Sequence, residues 1–167
     1  SLVLFDIGEP TPPIPPDPRL SIVTGDICSD VDIGALIGPS VDVVYHFAAV
    51  VSSGAEADFD LGMRVNFDGA RTVLEACRKL ETGPRFIFSS SVAAYGGDMP
   101  SVIEDGTAMT PQTSYGSQKA MCELLVNDYT RKGFVDGRTL RLPTVVVRPG
   151  KPNKAESTWA SSIICEP

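Results

Sequence analysis

The sequence predicts an α/β fold in which a doubly wound, Rossmann-like parallel sheet carries helices on its faces. Short apolar runs of strand length alternate with longer amphipathic runs, which is typical of parallel strands joined by crossover helices. Several apolar runs stop at a carboxylate, at hydroxyls or at small residues, as buried parallel strands do where they reach a ligand-binding edge. We therefore expect a sheet whose strand ends form a binding site for a small molecule.

Composition limits the classes of partner. The 167 residues, 43% of them hydrophobic, can bury the core of one domain, and no apolar run is long enough to span a membrane. A net charge of −7 argues against nucleic acid or an anionic membrane as the main partner, since either needs a cationic surface. The four cysteines are widely spaced and there is one histidine, so we expect no metal site, reduced thiols and a cytoplasmic protein without a secretory leader.

The first predicted strand, Ser1–Phe5, ends at Asp6. In dinucleotide-binding folds the second strand ends in a carboxylate that accepts hydrogen bonds from the adenosine ribose and repels a 2′-phosphate. Asp6 in that role favours NAD over NADP, while the alternative is an aspartate in an ordinary surface turn. The proline-rich run Glu9–Arg19 follows and predicts an extended loop, because proline lacks an amide donor.

The next two strands are predicted at Leu20–Gly25 and Val41–Phe47, with a short amphipathic helix at Val31–Ile37 between them. Ala48 and Ala49 follow the second of these strands. Small residues at a strand end let the backbone approach a cofactor, so we place both alanines in the cofactor site.

The longest helical pattern is Ala55–Leu80. Its apolar stripe contains Phe59, Met63, Asn66, Ala70, Val73, Leu74 and Cys77. Asn66 is the polar exception, and a buried amide must be hydrogen-bonded, either to backbone or to a water linked to the cofactor. His46 precedes the end of its strand and has no partner in sequence, so we expect it to be structural.

The run Arg85–Gly97 indicates a short buried strand that leads directly into hydroxyls and a glycine turn. Ser91 lies in this hydroxyl cluster at the carboxyl end of the strand, where it can face a substrate oxygen. The polar loop that follows, residues 97–111, is of the kind that carries specificity.

The predicted helix Thr113–Tyr129 carries Tyr115 and Lys119. A spacing of four residues places the phenol and the ammonium one turn apart on the same helix face. A nearby ammonium favours the phenolate, so Tyr115 could act as a base. The same spacing is common on solvated helices, but the hydroxyls upstream favour one catalytic constellation of Ser91, Tyr115 and Lys119.

The last strand is predicted at Arg138–Leu142 and is ended by Pro143. Beyond it, Arg148 forms a cationic cluster with Lys151 and Lys154. An arginine fork binds a carboxylate in a bidentate manner, so Arg148 is expected to bind a sugar acid, or alternatively a diphosphate. A solvated surface is the other interpretation of this cluster.

Five motifs in order give the chain a family resemblance. They are His46–Ala49, Val65–Ala70, Phe88–Gly96, Tyr115–Lys119 and Leu140–Thr144. On these motifs the chain resembles the extended short-chain dehydrogenases/reductases, the NAD-dependent epimerase/dehydratase family.

The resemblance implies an NAD-dependent hydride transfer. Tyr115 would remove the proton of a substrate hydroxyl, Lys119 would lower the pKa of that tyrosine and hold the nicotinamide ribose, and Ser91 would bind the substrate oxygen. It also implies a homodimer formed by the long helix and the Tyr115 helix. The residues that would contact the cofactor are Asp6, Asp26, Ile27, Phe47, Ala48, Ala49, Asn66, Ser89, Ser90, Tyr115, Lys119 and Pro143, with Asp26 and Ile27 beside the adenine.

The implied substrate is a small sugar acid that is oxidised to the oxo acid. The segments Ser114–Ala120, Gly133–Gly137 and Arg141–Lys154 are most similar to the sugar-acid branch of the family, and Thr144 stands where many relatives carry asparagine. Two alternatives stay open. One is a nucleotide-sugar epimerase or dehydratase with tightly bound NAD, and the other is a non-catalytic, truncated Rossmann module.

The expected fold lacks its first βα unit and its C-terminal substrate lobe. The glycine fingerprint that should precede Asp6 by about 20 residues is not in the sequence. We assign residues 1–150 to a partial NAD-binding Rossmann-like domain and residues 151–167 to the start of the substrate-binding region.

Overall fold

Five parallel strands form the framework of the chain in the computed structural model, which describes residues 1–144. Each strand coincides with an apolar run that the sequence predicted as a strand. Their bounds are β1 Leu2–Asp6, β2 Leu20–Thr24, β3 Val43–His46, β4 Arg85–Ser91 and β5 Asp136–Leu142.

The strands form two parallel sheets. β1 pairs with β2, and β3, β4 and β5 pair in that order. Within residues 1–144 no strand links β1 to β3. The doubly wound order places one further strand at this position, so the predicted Rossmann-like sheet, with that strand position open, is confirmed. Large side chains next to the open position remain exposed, among them Leu2 at 54% and Tyr45 at 60%.

Helices connect the strands. Their bounds are α1 Asp30–Leu36, α2 Ser52–Ala57, α3 Phe59–Gly62, a π-helix Met63–Asp68, α4 Gly69–Arg78 and α5 Ser114–Arg131, with a 3₁₀ turn at Val92–Ala94. The predicted helices before β3 and after the polar loop are confirmed to within two residues of α1 and α5.

The prediction of one uninterrupted helix over Ala55–Leu80 is wrong. Asp58 has an extended backbone with φ −135°, and its side chain caps the next helix by accepting from the amide of Leu61 at 2.9 Å. A π-helix then separates α3 from α4. Phe59, predicted on the apolar stripe, lies before this π-helix and directly after the break at Asp58, and it is 59% exposed.

The core lies between the β3–β5 sheet and helices α4 and α5. Phe86 and Phe88, alternate residues of β4, are fully buried, and they pack with Leu74 of α4 and Cys122 of α5. Because side chains alternate across a strand, the same face of β4 also carries Ser90 towards α5. The core therefore fixes the side of β4 that the Tyr115 helix covers.

Three further observations concern the described part of the chain. In residues 1–144, no helix is long and apolar enough to cross a membrane. Cys28, Cys77 and Cys122 are free thiols. That same stretch brings no group of three or more His, Cys, Asp or Glu side chains together as metal ligands would be.

Candidate active site

Helix α5 sets the geometry of the site. It begins at its N-cap Thr113, whose side chain accepts from the amide of Gly116 at 3.1 Å, and it passes into Gly133 with φ +75°. Tyr115 and Lys119 follow the cap at helical spacing and both point towards β4. The predicted pairing on one helix face is therefore present in the structure.

Tyr115 and Ser91 are in contact. The Ser91 hydroxyl lies close enough to the Tyr115 phenol to lower its pKa, and Ser91 Oγ accepts from the amide of Ala93 at 3.1 Å. Gly116 makes this approach possible: a Cβ at that position would lie 2.1 Å from the carbonyl oxygen of Ala93. The start of α5 is thus packed directly against the turn that holds Ser91.

Lys119 is buried beneath the phenol, with 3% of its surface exposed. Its Nζ donates to the carbonyl oxygen of Ser89 at 2.7 Å and lies 4.8 Å from the ring centroid of Phe88 and 5.6 Å from that of Tyr115. Burial lowers the pKa of Lys119 to about 8. An ammonium has three protons, so Nζ can bind the backbone of β4 and a further acceptor at once.

One expectation about protonation is corrected by the structure. The Tyr115 phenolate was expected to be favoured by Lys119, yet burial raises the pKa of Tyr115 above its ordinary value, and the hydrogen bond with Ser91 only partly opposes this. Desolvation disfavours the charged form of both groups. In the chain without ligands, Tyr115 is therefore neutral at pH 7 and Lys119 is the group that titrates first.

The hydroxyls of Ser89 and Ser90 are used within the protein. Ser89 Oγ donates to the carbonyl oxygen of His46 at 3.0 Å, and Ser90 Oγ donates to a carboxylate oxygen of Glu123. Both serines are buried. Each hydroxyl thus uses its donor within the protein and keeps acceptor lone pairs, and the expectation that both serines line the cofactor stays a prediction.

Asn66 has a structural role in this chain. Its Oδ1 accepts from the amide of Val50 at 2.7 Å, and its Nδ2 donates to the carbonyl oxygen of Val50 at 3.0 Å and to Oε1 of Gln118 at 2.7 Å. These bonds satisfy a side chain that is 2% exposed. Of the two roles that the sequence left open, backbone binding is the one observed, and Asn66 holds the segment that follows Ala48 and Ala49.

The predicted adenosine side of the site lies at the ends of β1 and β2. Asp6 is exposed at the end of β1, where its carboxylate accepts from the amide of Gly8 at 3.2 Å and has further lone pairs that can accept more. Asp26 accepts from the amide of Cys28 and from Arg64 Nη1, both at 2.9 Å. Arg64 was not predicted, and its exposed guanidinium already occupies one oxygen of the carboxylate proposed for the adenine.

The end of β3 is open. Phe47 is 62% exposed, Ala48 and Ala49 are half-buried, and Ile27 lies against the core from the segment after β2. His46 is buried between Phe86 and Phe88, with ring centroids 5.9 and 5.6 Å away. Burial, aided by the charge of Lys119, lowers the pKa of His46 to about 3, so the expected structural histidine stays neutral.

These residues fit the adenosine and nicotinamide parts of a dinucleotide, but they include no site for its pyrophosphate. Asp6 offers a free carboxylate for the ribose, the small residues Ala48 and Ala49 leave room for the backbone to approach a ligand, and Lys119 Nζ has donors to spare. The glycine loop that would hold the pyrophosphate is not in the sequence. Pro143 is exposed directly after β5, whereas Arg148, Lys151 and Lys154 lie outside the described residues.

Sequence reasoning missed the residues that tie α5 to its surroundings, namely Gln118, Glu123 and Arg141. Glu123 was detectable, because it continues the four-residue spacing of Tyr115 and Lys119. Its bonds to Arg141 of β5, 18 residues further along the chain, form only in the folded protein, and no local sequence pattern predicts them.

The chain is similar to known proteins over nearly its whole length. The pattern that defines the NAD dependent epimerase/dehydratase family matches residues 6–165. A D-erythronate dehydrogenase of Cupriavidus necator is 58% identical over 151 residues, which cover 90% of this chain and 47% of the relative. A D-erythronate dehydrogenase of Haemophilus influenzae is 52% identical over 166 residues, covering 99% of this chain and 52% of the relative. The chain thus spans about half the length of these relatives.

The fold agrees with a solved structure. The nucleoside-diphosphate-sugar epimerase of Agrobacterium tumefaciens superimposes with a TM-score of 0.88 and 42% identity, over 96% of this chain and 48% of that chain. The predicted resemblance and the predicted cofactor agree with the family's description, which names NAD.

Proposed function

The chain belongs to the NAD dependent epimerase/dehydratase family, and we propose that it forms the cofactor-binding part of an NAD-dependent dehydrogenase for a small sugar acid. The observation that carries the proposal is the contact between Tyr115, Ser91 and Lys119 at the carboxyl end of β4. The similarity to two D-erythronate dehydrogenases supports a D-erythronate-like substrate, which would be oxidised to the oxo acid.

Three side chains divide the chemistry. Tyr115 accepts the proton of the substrate hydroxyl, and Ser91 donates a hydrogen bond to the same oxygen as it becomes a carbonyl. Lys119 Nζ donates one proton to the Ser89 carbonyl oxygen, and its other two protons would bind a ribose hydroxyl of NAD. The charge of Lys119 also lies near the Tyr115 ring. NAD, when bound, supplies the hydride acceptor and a positive ring.

The raised pKa of Tyr115 has a consequence for this role. A neutral phenol cannot accept a proton, so Tyr115 must ionise before it acts. A positive charge beside the phenol favours the phenolate, and Lys119 with a pKa of about 8 is still largely charged at pH 7. The positively charged nicotinamide ring of NAD, when bound here, would likewise favour the phenolate form of Tyr115, which catalysis requires.

We also propose how the chain is organised and where it acts. Residues 1–150 form the NAD-binding domain and residues 151–167 begin the substrate-binding region, and Arg148, near the end of the NAD-binding domain, would bind the sugar-acid carboxylate. The free thiols favour a cytoplasmic location. Exposed apolar residues on two neighbouring helices, Phe59 at 59% and Leu124 at 60%, support a homodimer.

The deciding experiment measures NADH absorbance after the full-length gene product is mixed with NAD and a panel of four-carbon sugar acids and nucleotide sugars. The proposal expects NADH to form with D-erythronate in the wild type and not in Tyr115→Phe. A nucleotide sugar converted without net NADH would instead establish the epimerase, which the structural similarity to the Agrobacterium tumefaciens protein favours. Inactivity on every compound would leave the non-catalytic module.

A further inference from the structure

A second polar cluster lies directly behind the catalytic pair. Glu123 is 4% exposed, and its carboxylate receives Arg141 Nε at 3.0 Å, Arg141 Nη2 at 2.8 Å and the hydroxyl of Ser90. Arg141 Nη1 also donates to the hydroxyl of Tyr95, whose ring lies 4.8 Å from the guanidinium carbon. Every charged atom of this cluster has a partner.

The cluster joins the elements that carry the reacting groups. Glu123 is on α5, Ser90 on β4 and Arg141 on β5, while Tyr95 follows the 3₁₀ turn that holds Ser91. Ser90 is the immediate neighbour of Ser91. The cluster therefore connects α5, which carries Tyr115, and β4, which carries Ser91, to a third element, β5.

The spacing along α5 is regular. Tyr115, Lys119 and Glu123 occupy three successive turns, and each binds a different serine of β4: the Ser91 side chain, the Ser89 carbonyl and the Ser90 side chain, respectively. A helix that slid or turned against β4 would break all three contacts together. The register of α5 on β4 is thus also the register of the catalytic groups.

We propose that the Glu123–Arg141 ion pair is a positioning anchor, which holds α5 at the register on β4 that brings Tyr115 to Ser91. This inference rests on the proposed function, since it assigns the pair to the site of that reaction. Neither residue touches the reacting atoms, so both act through Tyr115 and Ser91.

Stability alone does not explain such a pair. The Glu123 carboxylate is buried and loses its hydration, while the Arg141 side chain stays 23% exposed, and well-packed apolar residues of similar size often stabilise a fold equally well. The planar fork of an arginine, in contrast, fixes both the distance and the direction of its carboxylate partner. The bidentate contact suits a role in orientation.

The experiment compares three variants of the full-length protein. Glu123→Gln keeps an acceptor for Ser90 but removes the charge, and the double variant Glu123→Leu with Arg141→Met replaces the pair by apolar residues. Asp128→Asn is the matched control, because it removes a carboxylate from an exposed ion pair with Arg131 on the same helix. Melting temperature, kcat and KM for NAD are measured for each.

The anchor predicts that kcat falls by about 10- to 100-fold in Glu123→Gln, as expected for a misplaced catalytic group, while KM for NAD changes less than about threefold. The double variant should regain the melting temperature but not kcat, and Asp128→Asn should match the wild type. Recovery of kcat together with the melting temperature would reduce the pair to a stabilising contact and overturn the proposal.

A spectroscopic measurement separates this inference from the proposed activity. The alkaline absorbance titration of Tyr115 is isolated by subtracting the same titration of Tyr115→Phe. Loss of the anchor should expose the phenol and bring its pKa down towards the ordinary value of about 10. If the wild type forms no NADH, this readout still decides: an unchanged titration in a folded Glu123→Gln protein refutes the anchor.

Discussion

Asn66 of the π-helix donates to Gln118 of α5 across a buried 2.7 Å hydrogen bond. Through its other two bonds Asn66 also holds the backbone of Val50, so this one amide joins the catalytic helix to the loop after β3. Gln118 uses its Oε1 in this contact, but its buried Nε2 has no hydrogen-bond partner in the described part of the chain. Removal of the Asn66 amide should therefore lower the free energy of unfolding by a different amount from removal of the Gln118 amide.

Asn66→Leu should destabilise the protein much more than Gln118→Met. The first change leaves the amide and carbonyl of Val50 without their partner, and each unsatisfied buried group costs about 1–3 kcal/mol. The second removes an unsatisfied donor along with one bond, so its cost should stay below about 1 kcal/mol. Denaturant unfolding of both variants measures the difference, and equal losses would contradict the roles assigned to the two amides.

Lys119→Met should stabilise the protein at pH 7 while it abolishes activity. The pKa of Lys119 is lowered from 10.5 to about 8, so the folded state favours the neutral amine and carries a desolvation cost while the lysine is charged. The unfolded chain binds more protons between pH 8 and 10.5, so wild-type stability rises with pH in this window. We expect a gain of roughly 1–3 kcal/mol for the variant at pH 7, less than the full shift because the bond to Ser89 is lost.

The test is the difference in unfolding free energy between Lys119→Met and the wild type across that window. Groups away from Lys119 that titrate at alkaline pH are the same in both proteins and cancel. The difference should shrink from pH 8 to pH 10.5. A difference that stays constant would mean that Lys119 does not lose its proton at the lowered pKa.

Gly116→Ala should disrupt the site. Its Cβ would lie 2.1 Å from the carbonyl oxygen of Ala93, a backbone atom that cannot rotate away, so the start of α5 must move from the turn that holds Ser91. Gly34→Ala is the matched control, since it is also a glycine inside a helix but has nothing within 4 Å of the new Cβ. We expect the control to gain about 0.5–1 kcal/mol from helix propensity and Gly116→Ala to lose stability and activity. Similar behaviour of the two variants would contradict the close packing at Gly116.

The sequence was informative wherever a local pattern determines the structure. The strands followed from apolar runs, and the Tyr115–Lys119 pairing followed from helical spacing. The break at Asp58 was missed because the apolar residues keep a helical spacing in the sequence across this region. The capping side chain of Asp58 and the π turn interrupt the helix without changing that spacing. Local spacing predicts which residues share a helix face, but it does not predict where an α-helix is interrupted or changes to a π-helix.

The protonation states and hydrogen-bond partners of the site residues depend on how the folded chain buries them. The sequence placed Lys119 beside Tyr115 but could not show that Lys119 is buried and Tyr115 half-buried, which is why the expected ease of ionising Tyr115 was wrong for the ligand-free chain. Likewise, the resemblance to the family implied that Ser89 and Ser90 line the cofactor, but it gave no partner for their hydroxyl protons. Their side chains bind His46 and Glu123, from elements that are distant in sequence.

His46→Phe should make the protein less sensitive to acid. Burial lowers the pKa of His46 to about 3 from its ordinary value of 6.5, so between these values the unfolded chain binds a proton that the folded chain does not. Stability therefore falls as pH drops below 6.5, by up to about 1.4 kcal/mol per pH unit from this residue. Phenylalanine suits the position because the imidazole already lies between the rings of Phe86 and Phe88. Denaturant unfolding from pH 7.5 to pH 4.5 should give a flatter profile for the variant, since its carboxylates are those of the wild type. Parallel profiles would show that His46 gains its proton in the folded state as readily as in the unfolded one.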